Sequence, residues 1–525
     1  MAKAGQALFL GDWCFGAPTV YHPRFYESTP AGLAGVCVKR EVMHVLGLDV
    51  GTQSAKAVIC NESGDIIAES SKTFDAEPIL LPPGWAEQHP HDWWEAACVC
   101  LRSVIDQIRW KGIPAEAIKA AAVDSTSGTI IPLDKTGIAL RPAIMYNDTR
   151  AVEEAEECNS AGRELTDKLG YKFSSAFSLP KALWIKKHEP GVFEQTSCFV
   201  HAADYIVSRL TGNFRLSDTS NALKTGYDLI SRRWPSFIES GLGIPLDRFP
   251  QVATPGLKIG VVSAVGGRDT ELKPGTPVVA GVTDGTAGFL ASGAVRVGDW
   301  NSTIGTTLVI RGVSTELIKD PQGRIYCHSH PQGYWLPGGA SNVGAECLSK
   351  LFHDKNLEEL NAYVSQYTPT SLIVYPLVRT GERLPFVNPK AEGFVIGEPR
   401  HEYDLYAGYL EGVGYVERWC LELMEELGAK VGDTIYTTGG GAKSEEWMQV
   451  RANILNRRVT RPASAECAMG TAAVAASNTL FPDLATAVKS MIKPGPSVDP
   501  DPSLVPIYED HYQAFRTVCA ERGYK

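Results

Sequence analysis

Two short stretches set a Gly-Thr pair at a break between apolar runs: Asp49-Val50-Gly51-Thr52 in VLGLDVGTQSAKAVI, and Ile304-Gly305-Thr306-Thr307 in DWNSTIGTTLVIRGV. A Gly-Thr turn can hold a phosphate, because without a Cβ the backbone N–H groups approach the oxygens closely and the threonine hydroxyl adds a donor. One such turn is also an ordinary hairpin. Two in matching positions point to a pair that clasps a polyphosphate from both sides. Asp284 ends the apolar run of PVVAGVTDGTAGFLASGA, just before small residues that start a helix. An aspartate there serves either as an N-cap, worth about 1 kcal/mol, or as a general base. Phosphoryl transfer needs such a carboxylate within hydrogen-bond reach of the accepting hydroxyl. A fourth stretch, TTGGGAKSEEW (Thr437 to Trp447), lies at a strand-to-helix junction that suits a nucleotide. The plain alternative is a glycine-rich loop needed for close packing. Three successive glycines are costly to order, which favours a ligand. The stretch matches neither a P-loop nor a Rossmann dinucleotide fingerprint.

The elements that must position these residues follow from period and turn chemistry. HVLGLDV, SAKAVIC and DIIAESS predict three antiparallel strands, with NESG as the second turn. A helix is expected from about Pro90 to Arg109, then a strand ending at Asp124 and a further hairpin. In the second half, DWNSTIGTTLVIRGV repeats the strand, Gly-Thr turn and strand, GYWLPGGAS adds a third strand, and a helix follows at about Val343 to Phe352. Two halves with one opening suggest an internal duplication facing across a cleft. YDLYAGYLEGVGYVERWCLELMEELGAK has apolar residues at helical spacing and stops at Gly428. The fold class expected is mixed α/β, with polar residues collected at strand ends.

A chain of 525 residues divides most simply into two large domains. With 44% hydrophobic and 21% charged residues it reads as soluble and globular, and its apolar runs fall short of a bilayer span. A formal charge of −10 without a Lys/Arg block argues against a nucleic-acid groove and for a small substrate. The 12 cysteines lack a C-x-x-C pair, which suits a reducing compartment, the cytoplasm; a plastid remains open if the source is a photosynthetic eukaryote. In YCHSHPQGYW, strand alternation puts His328 and His330 on one face and Cys327 on the other, against a three-ligand metal site. Residues 1–42 resemble neither a secretion signal nor a transit peptide and are read as an extension outside the fold. The oligomer is left open between a monomer and a homodimer.

Taken together these residues resemble the FGGY carbohydrate kinases, a branch of the actin and hexokinase superfamily, over about Met43 to Tyr508. The stretches that carry the resemblance are GLDVGTQSAKAVI, GWAEQHPHDWW, MYNDTR, HAADYI, VTDGTAGFLASGA, STIGTT, GERLPFVNP, TTGGGAKSEEWMQVRANIL and ECAMGTAAVAA. The resemblance implies two ribonuclease-H-like (actin-like ATPase) domains, 43–295 with the sugar site and catalytic aspartate and 296–525 with the ATP site. It implies Asp284 as general base, and Asp49, beside Gly51 and Thr52, as organiser of Mg²⁺ and the phosphates. Gly305 and Thr306 resemble the second phosphate turn, and Gly439, Gly440, Gly441, Ser444 and Trp447 the adenosine site. Where bacterial-type xylulokinases carry Gly-Gln-x-His-Gly, this chain has DSTSGT. That departure resembles a plant and cyanobacterial branch acting on D-ribulose, so an ATP-dependent D-ribulose kinase is expected, with a D-xylulose kinase as the alternative and a non-catalytic actin-like sugar-binding protein as a third reading. Ser127 is the candidate for a sugar hydroxyl. Asp148 and Arg150 of MYNDTR are sugar-site candidates or a structural ion pair, and Trp85, Trp93 and Trp94 are read as packing residues.

Overall fold

The computed structural model describes residues 42–75 and 79–525; apart from Val42, the extension expected over residues 1–42 lies outside the described residues. The opening strands are β1 (His44–Val50), β2 (Ser54–Asn61) and β3 (Ile66–Thr73), paired antiparallel as expected. The strand through Asp124, β4 (Ile118–Ser125), runs parallel to β1. With β5 (Lys258–Val261) and β6 (Pro277–Val279) the order is β5-β6-β4-β1-β2-β3, and Val282–Thr283 adds a short piece beside the end of β4. The second sheet comprises β7 (Trp300–Ile304), β8 (Leu308–Gly312), β9 (Tyr326–Ser329), β10 (Trp335–Ser341), β11 (Thr434–Thr438), β12 (Arg458–Pro462) and β13 (Pro494–Val498). Its order is β9-β10-β8-β7-β11-β12-β13. Matching β1 to β7, β2 to β8, β3 to β10, β4 to β11, β6 to β12 and β5 to β13 reproduces every neighbour and every direction. The duplication is therefore one of sheet layout, with the two outermost matched strands in exchanged order along the chain and β9 as an addition at the edge.

Period 2 makes the second sheet two-faced. Trp300, Ile304, Leu308, Ile310 and Ile435 bury one face in a core with α3 (Glu402–Glu426) and α4 (Glu445–Leu455). Asn301, Thr303 and Arg311 carry polar groups on the other. On the buried face the Arg451 guanidinium pairs with Glu417 (Nε to Oε2, 2.6 Å) and donates to Thr437 and Ser302, tying α4 to β11 and β7. A buried pair so fully bonded costs about 3–5 kcal/mol to break by removing one partner.

In the first half, α1 (Pro90–Trp110) covers β2 and β3, and α2 (Asp284–Ala291) follows the short piece beside β4. Late in the chain, α5 (Cys467–Ala476) returns to pack on β1, β4 and α2. Its composition, CAMGTAAVAA, permits this. A Cβ on Gly470 would lie 2.0 Å from the carbonyl oxygen of Ala287, and one on Gly47 would lie 2.0 Å from that of Ala468. We predict that Gly470→Ala, which must force α2 and α5 apart, destabilises the protein by about 1–3 kcal/mol. Guanidinium unfolding checks this; an unchanged midpoint would show that the contact is not tight in solution.

Candidate functional site

Parallel register sets Asp49 opposite Asp124 at the carboxyl ends of β1 and β4. Asp124 is fully buried, and the Thr471 hydroxyl from α5 donates to its Oδ2, while its Oδ1 has no partner. Burial first, and then Asp49's charge, hold the Asp124 carboxyl well above the usual carboxylate range. Burial also pushes Asp49 up to about 6; Asp124 bonds to the Asp49 anion and opposes the rise, while Asp284 and Glu466 add to it. Both carboxyls are therefore harder to ionise than a free aspartate, with burial the leading cause for each. Sequence reasoning ended a strand at Asp124 and gave it no role. The signal was present in AAAVD, an apolar strand ending in aspartate like GLDV.

Asp284 is the first residue of α2 and Thr283 holds the N-cap position, so the N-cap reading of Asp284 is corrected. Thr283 is fixed through its N–H to the Ser220 hydroxyl (2.7 Å). The half-buried Asp284 carboxylate accepts the Gly285 N–H at 2.6 Å and makes no ion pair closer than 4 Å among the described residues. Burial raises its pKa, against the opposing pull of that N–H, Lys224 and Arg311. Arg311, from β8, lies over the start of α2, where a Cβ on Gly285 would come within 3.0 Å of its Nη1.

Both Gly-Thr turns close hairpins, with Gly51 N–H to Ser54 O at 3.0 Å and Gly305 N–H to Thr307 O at 3.1 Å. Neither glycine has positive φ. A Cβ would meet nothing closer than 3.5 Å at Gly51 or 3.9 Å at Gly305. The protein's own packing and backbone do not require glycine there, and the open ground over each turn fits a ligand approaching the main chain. The Thr52 hydroxyl lies 3.5 Å from that of Tyr146, and Thr306 is exposed. Behind the second turn, Gly344 packs where a Cβ would come within 2.5 Å of the Thr306 carbonyl oxygen. The buried Glu382 of GERLPFVNP accepts from Ser341, the Asn342 N–H and Tyr375, and so fixes the chain leading to Gly344.

Other expected residues sit elsewhere. Trp447 is buried, its indole donating to the Leu410 carbonyl at 3.1 Å, so no ring face is free for adenine. Ser444 caps α4, accepting the Trp447 N–H. Gly439 adopts φ 86° against the Ile304 carbonyl, and Gly441 is hemmed by Ile304 and Trp447, so packing explains both. Gly440 alone of the three faces open space. Asp148 and Arg150 form a bidentate pair (2.9 and 2.7 Å), with the Arg150 guanidinium 3.7 Å from the centre of the Trp85 ring and 4.9 Å from that of Trp184, in the corner the two rings make, and also beside Glu87. Both side chains are almost fully buried, as the structural ion-pair reading requires. Ser127 is half-buried just past the end of β4. The Cys327 thiol donates to the Ile318 carbonyl, and among the described residues no three His, Cys, Asp or Glu side chains gather for a metal.

Duplicated sheets, with carboxylates at the strand ends of the first and an open Gly-Thr turn in each half, define an actin-like ATPase fold of two related domains. The chain belongs to the FGGY family of carbohydrate kinases: the model of that family's N-terminal domain matches residues 44–291 and that of its C-terminal domain residues 301–479. It is 26% identical over 486 residues to the xylulose kinase of Bacillus subtilis (strain 168), covering 90% of this chain and 96% of that protein. It is 30% identical over 429 residues to that of Escherichia coli (strain K12), covering 79% and 85%. The crystal structure of xylulose kinase from Rhodospirillum rubrum matches 91% of this chain and 98% of its own with a TM-score of 0.81 at 27% identity.

Asp49 holds its proton more tightly in the folded chain than in the unfolded, where its pKa is about 3.9. Stability tied to this group is therefore full below pH ~4 and is lost as pH rises through about 6. Asp49→Asn should gain about 2 kcal/mol of unfolding free energy at pH 8, with the gain fading toward pH 4, as denaturant unfolding at the two pH values would read. A gain equal at both would refute the assignment.

Proposed function

We propose that this carbohydrate kinase transfers the γ-phosphoryl of ATP to the terminal hydroxyl of a ketopentose, with D-xylulose the preferred reading. The relatives named xylulose kinase support that sugar over the D-ribulose expected from the sequence. D-ribulose stays as the second reading because of one observation, the DSTSGT segment from Asp124 in place of Gly-Gln-x-His-Gly. The observation that carries the reaction is the Asp284 carboxylate, bonded only to its neighbour's N–H and standing with the Asp49–Asp124 pair at the ends of one sheet. As the anion, it accepts the proton of the attacking hydroxyl. The Gly51-Thr52 and Gly305-Thr306 turns offer backbone and hydroxyl donors to the phosphates, and Gly440 leaves open ground for the nucleoside. Residues 43–295 and 296–525 are the two domains, and their closure excludes the water that would compete with the sugar.

The Asp49 carboxylate is an oxygen donor of the kind Mg²⁺ takes, and Asp124 would join it as a second once its own proton is lost. Bound there, the ion would neutralise phosphate charge. The ten described cysteines that carry thiols are all free, which supports a reducing compartment, the cytoplasm; no described helix is long and apolar enough to cross a membrane.

Asp284→Ala should lower ADP release by about 10²–10⁴-fold while ATP still binds, measured by a coupled assay and calorimetry. Undiminished turnover would remove Asp284 from the role of base. The same assay over D-xylulose, D-ribulose, gluconate and glycerol names the acceptor, and ADP release only with gluconate or glycerol would overturn the ketopentose reading.

A further inference from the structure

His328, on β9, is 3% exposed, yet neither of its ring nitrogens has a hydrogen-bond partner. Nη1 of Arg311, on β8, is likewise buried without a partner. Register sets both on one face of the second sheet. Arg311 stands opposite Gly338 and Gly338 opposite Tyr326, with His328 two residues further along the same strand. Glycine at 338 leaves no side chain between Arg311 and Tyr326. Lys224 comes from a third segment, anchored to the start of α2 through Ser220. It is 9% exposed, makes no ion pair among the described residues, and holds its ammonium 5.8 Å from the centre of the Phe177 ring. Lys224 and Arg311 both bear electrostatically on Asp284 and on His328. Buried polar groups are almost always paired, so the His328 ring nitrogens and Arg311 Nη1, all without a hydrogen-bond partner among the described residues, call for a ligand that pairs them, with the Lys224 ammonium bearing on His328 from a third segment.

Resting on the reading of a ketopentose kinase, we infer that Lys224, Arg311 and His328 form the wall that binds the acceptor sugar beyond its reacting hydroxyl, and that this wall selects a carbonyl oxygen. Lys224 and Arg311 only donate. Burial keeps the His328 imidazole neutral, with one donor and one acceptor nitrogen. Asp284 is committed to the hydroxyl that reacts. A donor-rich wall is best filled by an oxygen that only accepts, as a ketone does. A polyol offers a hydroxyl there, whose proton must find another partner. Ketoses should therefore bind in preference to pentitols of the same carbon skeleton.

Calorimetric titration with D-xylulose, D-ribulose, xylitol and ribitol tests this without requiring turnover. The wild-type protein should bind one ketopentose roughly tenfold or more tightly than its pentitol. His328→Leu removes no bond within the protein, so the thermal midpoint should hold. That variant and Lys224→Met should each weaken ketopentose binding roughly tenfold or more and shrink the preference over the pentitol to about threefold or less. Unchanged ketopentose affinity in both variants, or equal losses for ketose and pentitol, would overturn the inference. Ketopentose binding without ADP release would defeat the kinase reading and leave the wall standing. No ketopentose binding, with ADP released from another acceptor, would do the reverse.

Discussion

The close packing of α5 between β1 and α2 is the constraint on which the site depends. The chain of the second half returns and lays a helix of alanine, glycine and threonine against strands of the first. Glycine at 47 and at 470 lets backbone meet backbone where a methyl group would lie 2.0 Å from a carbonyl oxygen. That helix touches each element that carries one of the three clustered carboxyls: β1 with Asp49, β4 with Asp124, and α2 with Asp284. It supplies the Thr471 hydroxyl to Asp124 and sets the Cys467 thiol 3.7 Å from the Asp284 carbonyl oxygen. The spacing of the carboxylates is thus set by the closest distance at which a helix and a strand can pack. A larger side chain anywhere on that contact would move all three.

Such spacing has an electrostatic consequence. Three carboxyls drawn together away from water cannot all ionise at their ordinary pKa values, and each is raised, with burial the leading cause. The pair on the sheet relieves this by keeping protons to higher pH, and Asp284 by the nearby charges of Lys224 and Arg311. The second sheet shows the opposite arrangement on its buried side, where Arg451 and Glu417 satisfy each other and the strands beside them. One buried charge cluster is closed and structural. The other keeps unused bonding capacity, which costs stability and which a ligand can recover.

Much of this was legible in the sequence wherever the cause was local. Period 2 and turn residues placed the three opening strands and both Gly-Thr hairpins within a residue or two. The repeated opening foretold two halves, and the matched strand orders extend that repeat beyond anything the residues alone display. What could not be read was pairing over distance. Asp124 acquires its role only because β4 lies in register beside β1. Trp447 carried the right motif for a nucleotide site, yet helix packing turns its ring into the core. The three glycines looked like one feature, but two serve tight packing and only Gly440 is open.

Charge on a motif therefore says less about ligand binding than the bonding capacity that folding leaves unused. Asp148 and Arg150 sit in a stretch that marks the family, and they are nearly spent: two short bonds to each other, a backbone N–H on Asp148, and aromatic rings against the guanidinium. The Arg150 Nη1 makes no hydrogen bond, but it lies 2.7 Å from Glu87 Oε1, so a sugar there would compete with that ion pair. His328 lies in a stretch weighed only as a metal site, and both its nitrogens are free. A ligand that bonds to it displaces nothing within the protein and removes an existing penalty. By that physical criterion the proposed acceptor wall lies on the face of the second sheet that carries Arg311 and His328 rather than at the Asp148–Arg150 loop, and it draws on residues of both halves.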